Sequence, residues 1–340
     1  MRIYQPLDPG VIRLLHLLPG AQDEVIRGWI EKRPLFTSRA FTEGLEYIAL
    51  SYAWGSEEES GTIEIDGTEL TITRNLDRCL RQLRQQEIVV TLWIDSICIN
   101  QGSISEKTQQ VALMPQIYSA AQGVDVWLGD ESEYSSIGMD IVKYFATHPR
   151  PTKDAPWQTL PQRLSSGGLA DVMSRAWFRR IWVVQEVVFA KRVRLICGTS
   201  TVSWGRSSSG VKGFMRMIKF ACILPEWRHK GLDSIQMRPL LKLLDLQLEV
   251  MLAKNTGSLR KSADVLDIAY ELRDRLASDP RDMLFSIAGM VDGLWSCEKF
   301  KPDYRLSVEQ SYDHLQSAIC FCDFDCAGPK EHLLQCHQSW

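Results

Sequence analysis

Three short apolar segments, separated by helical patterns, constrain the fold of this chain more than any other sequence feature. They are residues 47–52 (YIALSY), 88–94 and 124–128, and each is bounded by polar or turn-forming residues. Alternation of apolar, β-branched strands with helices is typical of a parallel sheet that helices cover. The sequence therefore predicts an α/β fold built around a parallel sheet.

The connections between these segments predict a β-hairpin and two helices. The stretch TIEIDGTELTIT alternates on both sides of Asp66-Gly67, which is a strong hairpin signal. Asn75 is a candidate N-cap for a helix whose apolar residues recur at i, i+4 and i+7. A second helix is predicted over residues 105–121, and Pro115 is expected to kink or split it.

The second half of the chain has a predominantly helical pattern. Residues 149–168, rich in Pro, Ser and Gly, predict a loop, and a strongly patterned helix is predicted over 175–190. A strand follows at 193–197, and most of the chain from 204 to about 289 reads as helix. The complete fold prediction is a parallel-sheet core with an added β-hairpin and a helical C-terminal half.

Polar residues follow two of the predicted strands at their carboxyl ends. Ser51, Trp54 and Gly55 end the first strand, and Asp95 and Asn100 follow the second. In open α/β sheets ligands bind beyond this edge, so we expect a polar crevice there. Structural roles are the alternative: a tight turn with a packed indole for Trp54, an Asx turn or helix cap for Asp95, and a pinned loop for Asn100.

Charge and hydropathy exclude two classes of partner. The formal net charge is −3 and no stretch concentrates Lys and Arg, whereas nucleic-acid binders carry a basic face. No segment provides the ~20 consecutive apolar residues of a membrane helix, and Arg13 and His16 interrupt the apolar run at 11–18. The sequence therefore predicts a cytoplasmic protein that binds neither nucleic acid nor membrane.

The chain contains nine cysteines, an odd number. Cys98 and Cys197 lie singly in apolar runs and are expected to be small buried hydrophobes. Near the C-terminus, several cysteines lie close to two histidines: Cys320, Cys322, Cys326, Cys336, His332 and His337. The Cys-x-Cys-x3-Cys spacing is not that of a zinc finger, so free thiols are favoured over a zinc site and no metal is predicted.

Three blocks of sequence resemble the fungal heterokaryon-incompatibility (HET) domain family. They occur in family order at 47–55 (YIALSYAWG), 93–101 (WIDSICINQ) and 175–186 (RAWFRRIWVVQE). The third follows the family pattern R-x-W-F-x-R-x-W-x-x-Q-E. Shorter similarities at 279–282 (DPRD) and 302–304 (PDY) extend the resemblance to about residue 310.

The resemblance implies a module of self/non-self recognition that promotes programmed cell death. HET domains are regarded as distant relatives of Toll/interleukin-receptor (TIR) domains, which implies a TIR-like, flavodoxin-like core. Some TIR domains hydrolyse NAD with a glutamate on a helix, and Glu186 is the similar residue here. NAD would then be a substrate, with no cofactor required. The residues implied to bind it are Ser51, Trp54, Gly55, Asp95, Asn100, Arg179 and Trp182.

The residue types around Glu186 also suit this chemistry independently of the family resemblance. On a continuous helix, Arg175, Arg179, Trp182 and Glu186 would form one stripe. An indole can stack on a ring, a carboxylate can stabilise an oxocarbenium-like transition state, and arginines can hold a diphosphate. The alternative is structural, with Glu186 paired to an arginine and Trp182 filling the core.

Two functional hypotheses therefore remain open from the sequence. The first is an NAD-hydrolysing enzyme with Glu186 as the catalytic carboxylate. The second is a non-enzymatic signalling module that acts by self-association or by binding a protein partner. We divide the chain into an N-terminal extension (1–39), a HET core (40–200), a helical part (201–310) and a Cys-rich tail (311–340).

Overall fold

A computed structural model describes residues 3–35, 46–56, 58, 60–256, 265–291 and 300–322. The strands within these residues are β1 (Val11–Leu17), β2 (Ile26–Pro34), β3 (Ile48–Tyr52), β4 (Ser60–Ile65), β5 (Thr68–Thr73), β6 (Val90–Trp93), β7 (Gly123–Trp127), β8 (Val193–Cys197) and β9 (Ser200–Trp204).

The described residues also form helices, which surround the sheet or follow it in the chain. They are α1 (Arg74–Leu83), α2 (Asp95–Cys98), α3 (Ile104–Ala120), α4 (Ser135–Thr147), α5 (Pro156–Thr159), α6 (Gln162–Ser174), α7 (Val183–Val188), α8 (Ser208–Ile223), α9 (Pro225–His229), α10 (Arg238–Thr256), α11 (Val265–Leu272), α12 (Arg281–Ala288) and α13 (Val308–Cys322).

The strands form one mixed sheet in the order β5-β4-β2-β1-β6-β3-β7-β8-β9. Strands β6, β3, β7 and β8 are parallel and occupy its centre, as the three apolar segments predicted. The prediction of a parallel sheet was incomplete, because β1 is antiparallel to both β2 and β6 and β9 is antiparallel to β8. Residues 11–34, within the predicted N-terminal extension, thus contribute two strands to the sheet, which their short, interrupted apolar run did not indicate.

Local turn and capping interactions determine the β4–β5 hairpin and the start of α1. Asp66 and Gly67 have φ values of 50° and 74°, the left-handed pair that a two-residue hairpin turn requires, and β4 pairs with β5 as predicted. The predicted N-cap at Asn75 was wrong: Thr73 caps α1, and its side chain accepts the Leu76 N–H. Asn75 instead donates to the Ala53 carbonyl at 2.6 Å, which ties α1 to the end of β3.

The helix predicted over 175–190 does not form as one element. Residues Ala176–Arg179 make a single 3-10 turn, Arg180 is extended, and α7 begins only at Val183. Arg180 pairs with Leu276 in a parallel β-bridge, and the Ile181 N–H donates to the Leu276 carbonyl at 3.0 Å. This pairing with a distant segment overrides the helical periodicity of the local sequence.

Prolines explain two further differences from the predicted elements. The loop predicted over 149–168 contains α5 and the start of α6, because Pro156 occupies the first turn of one helix and Pro161 the N-cap of the other. Pro115 lies within α3, which continues through it from Ile104 to Ala120 without splitting.

Two close-packed regions stabilise the helical part of the fold. Trp157 and Trp227 meet edge to face at 5.5 Å between ring centroids, and Phe145 lies 5.4 Å from Trp157. Gly138 of α4 faces Gly168 of α6, where a Cβ added to Gly138 would lie 2.0 Å from the Gly168 carbonyl oxygen. Only glycine therefore permits this approach of the two helices.

A buried ion pair joins β1 to α3. The Arg13 side chain is fully buried and pairs with Glu106 of α3 through both terminal nitrogens. Arg13 also donates to the Cys98 carbonyl at 3.0 Å. The sequence marked Arg13 only as an interruption of an apolar run, whereas the structure uses it to connect three segments.

Cys98 and Cys197 are buried free thiols, as predicted from their apolar surroundings. The greater part of the Cys-rich tail, residues 323–340, lies outside the described residues. No helix in the described part of the chain is long and apolar enough to cross a membrane.

Candidate functional site

The carboxyl ends of β3 and β6 bring Trp54 and Asp95 together. These strands are parallel neighbours, so the residues that follow them lie at the same edge of the sheet. The Trp54 indole N–H donates to the Asp95 carboxylate at 3.0 Å, and the Ser96 backbone N–H donates to the other carboxylate oxygen at 2.8 Å. This fixes Asp95 in the lining of a cleft.

The cleft has a volume of about 490 Å³, within the range of small-molecule sites. The sheet edge forms one wall, α3 contributes an apolar patch, and the C-terminal half of the chain forms the opposite wall. The lining residues are Ala53, Trp54, Gly55, Asp95, Ile99, Gln101, Lys107, Val111, Met114, Arg180, Trp182, Leu276, Ala277, Ser278, Asp279, Asp282 and Tyr304.

Arg180 also lines this cleft. The β-bridge to Leu276 holds its backbone extended, and its guanidinium donates to the Tyr52 carbonyl at the end of β3. Burial raises the pKa of Asp95, and the positive charge of Arg180 opposes that rise. Arg180 thus acts electrostatically on the carboxylate of Asp95.

Sequence reasoning selected Arg179, whereas the structure places Arg180 in the cleft. The stripe spacing assumed a continuous helix, and the break at Arg180 rotates the two arginines to different sides. Arg179 is exposed and lines a separate cavity. The family pattern R-x-W-F-x-R contained the missed signal, since Arg180 occupies its fixed arginine and Arg179 a variable position.

Glu186 is buried next to the cleft and is not among the residues that line it. Its side chain accepts a hydrogen bond from the Ser51 hydroxyl, and the Trp177 indole N–H donates to that same Ser51 oxygen at 2.7 Å. Burial raises the pKa of Glu186 to about 7, opposed by the charge of Arg180 and by the Ser51 hydrogen bond. Ser51 and Glu186 therefore form a buried polar network adjoining Arg180.

The remaining predicted residues divide between the cleft and its surroundings. Gly55 and Trp182 line the cleft together with Trp54 and Asp95. Asn100 does not line it: its side chain accepts the Gly102 N–H at 3.2 Å and so stabilises its own loop.

The C-terminal half supplies cleft residues that sequence reasoning missed. Asp282 at the start of α12 is buried and accepts the Tyr304 hydroxyl at 2.6 Å, and the Lys107 ammonium lies 4.2 Å from the Tyr304 ring centroid. Burial raises the pKa of Asp282 despite its hydrogen bonds from Tyr304 and Trp182. The short family-like stretches at 279–282 and 302–304 contain these residues, but nothing in the sequence showed that they meet the sheet edge.

The arrangement can bind a flat ring together with polar and anionic groups. Two indoles, Trp54 and Trp182, offer aromatic surface, and Asp95 can accept hydrogen bonds from hydroxyl groups. Lys107 and Arg180 can bind an anion. Within the described residues, no three His, Cys, Asp or Glu side chains are placed to hold a metal ion.

Residues 47–186 match the sequence model of the family described as heterokaryon incompatibility protein (HET). The chain contains a HET domain. The matched region ends at Glu186, so it includes Trp54, Asp95 and Arg180 but neither Asp282 nor Tyr304. The cleft is therefore shared between the HET domain and the C-terminal half of the chain.

A curated relative supports the same family. The chain is 31% identical over 217 residues to heterokaryon incompatibility protein 6, OR allele, of Neurospora crassa. The aligned region covers 51% of this chain and 31% of the relative, so this chain corresponds to about a third of that protein. No solved structure matches the chain significantly.

Proposed function

We propose that this chain acts in fungal self/non-self recognition, in the cytoplasm, and that its cleft binds and hydrolyses NAD to promote cell death. The HET domain and the similarity to a heterokaryon incompatibility protein support the recognition role. The chemical proposal rests on one observation, the cleft itself. It combines two indoles, a carboxylate that can accept hydrogen bonds from ribose hydroxyls, and two cations in about 490 Å³.

The charges of the cleft suit a dinucleotide. Asp279 forms an ion pair with Arg281 at 2.6 Å, and burial raises the pKa of Asp282 and so disfavours its charged form. Lys107 and Arg180 then remain to hold a diphosphate, and Asp95 can accept hydrogen bonds from ribose hydroxyls. A nicotinamide ring can stack on Trp182 or Trp54.

The proposed reaction needs a negative charge beside the nicotinamide ribose. Water adds to C1′ as the C1′–N bond breaks, the bonding electrons return to the pyridine nitrogen, and nicotinamide, ADP-ribose and a proton are released. Asp95 is the carboxylate that can contact the sugar and stabilise the oxocarbenium-like transition state. We assign Glu186 a supporting part, in which its charge acts on Arg180 from the buried side.

The order of the parallel strands supports the proposed TIR-like ancestry. Along the sheet they lie as β6-β3-β7-β8, so that the first of them in the chain lies between the second and the third. The first strands of flavodoxin-like sheets have this same order. Such sheets bind ligands at the carboxyl ends of their strands, which is where this cleft lies.

The test is nicotinamide release from NAD by the concentrated purified protein. We expect turnover by the wild type, and a loss on the order of a hundredfold in Asp95→Asn. Asp140→Asn changes an exposed aspartate on α4 and serves as the matched control, with activity unchanged. A loss in Glu186→Gln with full activity in Asp95→Asn would return the catalytic role to Glu186.

A binding-only recognition module is the second candidate, and the burial of Glu186 favours it. The side chain is 2% exposed and is absent from the cleft lining. In that case NAD or another nucleotide would bind without turnover, and signalling would depend on self-association or a protein partner. Binding measured by calorimetry, with no nicotinamide released and a change in sedimentation on ligand addition, would select this function.

A further inference from the structure

A second cavity of about 580 Å³ lies against the back of the cleft wall. The wall is the paired backbone of Arg180 and Leu276, and Leu276 lines both spaces. The cavity is bounded by α6, the 3-10 turn, α10 and α11. The two spaces are therefore adjacent but separate.

The charges lining this cavity do not balance. Four cations face it (Arg179, Arg238, Lys242 and Arg275), together with the carboxylates of Glu271 and Asp274. Lys242 pairs with Glu271 at 2.6 Å, and Arg238 lies 3.4 Å from Asp274. Arg179 and Arg275 have no carboxylate partner in the described part of the chain. The lining therefore has two guanidinium groups in excess.

Arg275 is the more informative of these two cations. It is only 8% exposed, and its guanidinium donates to the carbonyls of Phe178, Arg180 and Pro239, each at 3.1 Å. A guanidinium has five N–H donors, so two remain unused. Burial lowers the pKa of Arg275 to about 10, which shows the cost of holding this charge without a counter-ion.

We propose that this cavity is a second ligand site that binds a small phosphate-bearing anion. Arg275 binds the phosphate through its two unused donors, a geometry in which guanidinium groups bind oxyanions well. Arg179 closes over the anion from the exposed rim. Two excess positive charges match a phosphate group, which carries between one and two negative charges near neutral pH.

The test is calorimetric titration of the full chain with inorganic phosphate at fixed ionic strength. We expect a binding component that Arg179→Gln weakens about tenfold, the effect of removing one charge-assisted contact. Arg179 is exposed, so this change leaves the fold intact. Arg216→Gln, which alters an exposed arginine on α8, is the matched control and leaves the affinity unchanged.

Two further variants separate this site from the cleft. Lys107→Gln alters the cleft and retains the component, whereas Arg275→Lys keeps the charge but removes the forked donors and weakens it. No binding by the wild type, or equal affinity of Arg179→Gln and wild type, overturns the proposal. So does loss of the component in Lys107→Gln alone, since the anion would then occupy the cleft. NAD turnover enters none of these measurements, so this proposal and the catalytic one fail independently.

Discussion

The Glu186→Gln substitution tests whether the buried Glu186 carboxyl, which lies next to the cleft, titrates differently in the folded and unfolded protein. The substitution keeps the size of the side chain and an oxygen that can accept from the Ser51 hydroxyl, but it removes the titration. Burial raises the pKa of Glu186 from its ordinary value of 4.5 to about 7. The folded protein therefore binds this proton more tightly than the unfolded chain does.

The sign and size of the effect follow from proton linkage. Between pH 4.5 and 7 the folded state retains a proton that the unfolded state has lost, so stability falls as pH rises through this window. A pKa difference of roughly 2.5, at about 1.36 kcal/mol for each pKa unit, corresponds to about 3 kcal/mol. We expect the wild type to lose that much free energy of unfolding, relative to Glu186→Gln, between pH 4.5 and pH 8.

The assay is urea denaturation of both proteins at several pH values across this range. Taking the difference between wild type and variant removes the contributions of all other titrating groups. Glu69→Gln, which changes an exposed glutamate on β5, is the control and should follow the wild-type pH dependence. Parallel curves for wild type and Glu186→Gln would refute the reasoning. A difference of the opposite sign would show that Arg180 stabilises the charged carboxylate more than burial destabilises it.

Three further predictions concern stability, each measured as the change in free energy of unfolding by chemical denaturation. Gly138→Ala should destabilise by about 1–3 kcal/mol, because the new Cβ meets a carbonyl oxygen of α6, whereas Gly213→Ala, with nothing within 4 Å, should stabilise by up to about 1 kcal/mol. Equal effects would exclude the close helix contact. Arg13→Met should cost about 3–5 kcal/mol by leaving a carboxylate unpaired, and Arg27→Met, in an exposed pair, about 1 kcal/mol or less. A small loss of stability in both arginine variants would mean that water reaches the Arg13–Glu106 pair. Trp157→Ala should cost about 3–5 kcal/mol because it empties a fully buried site, and a change below 1 kcal/mol would contradict that packing.

The sequence by itself determined the central strands and the hairpin of this protein. Apolar runs of strand length and the Asp66-Gly67 turn are local signals, and they were sufficient for β3, β6, β7 and the β4–β5 pair. Because parallel neighbours end at one edge of a sheet, the sequence also placed Trp54 and Asp95 at that edge. The structure joins their side chains by a hydrogen bond of 3.0 Å.

The tertiary structure alone decided the far wall of the cleft and the environment of Glu186. Helical periodicity described residues 175–190 as one stripe, but backbone pairing with Leu276, almost a hundred residues later, breaks the helix and turns Arg180 rather than Arg179 into the cleft. Asp282 and Tyr304 reach it by packing of the C-terminal half. A sequence pattern shows which residues recur on one face of a helix or strand. Tertiary packing and long-range backbone pairing determine which face is buried and which polar groups meet there.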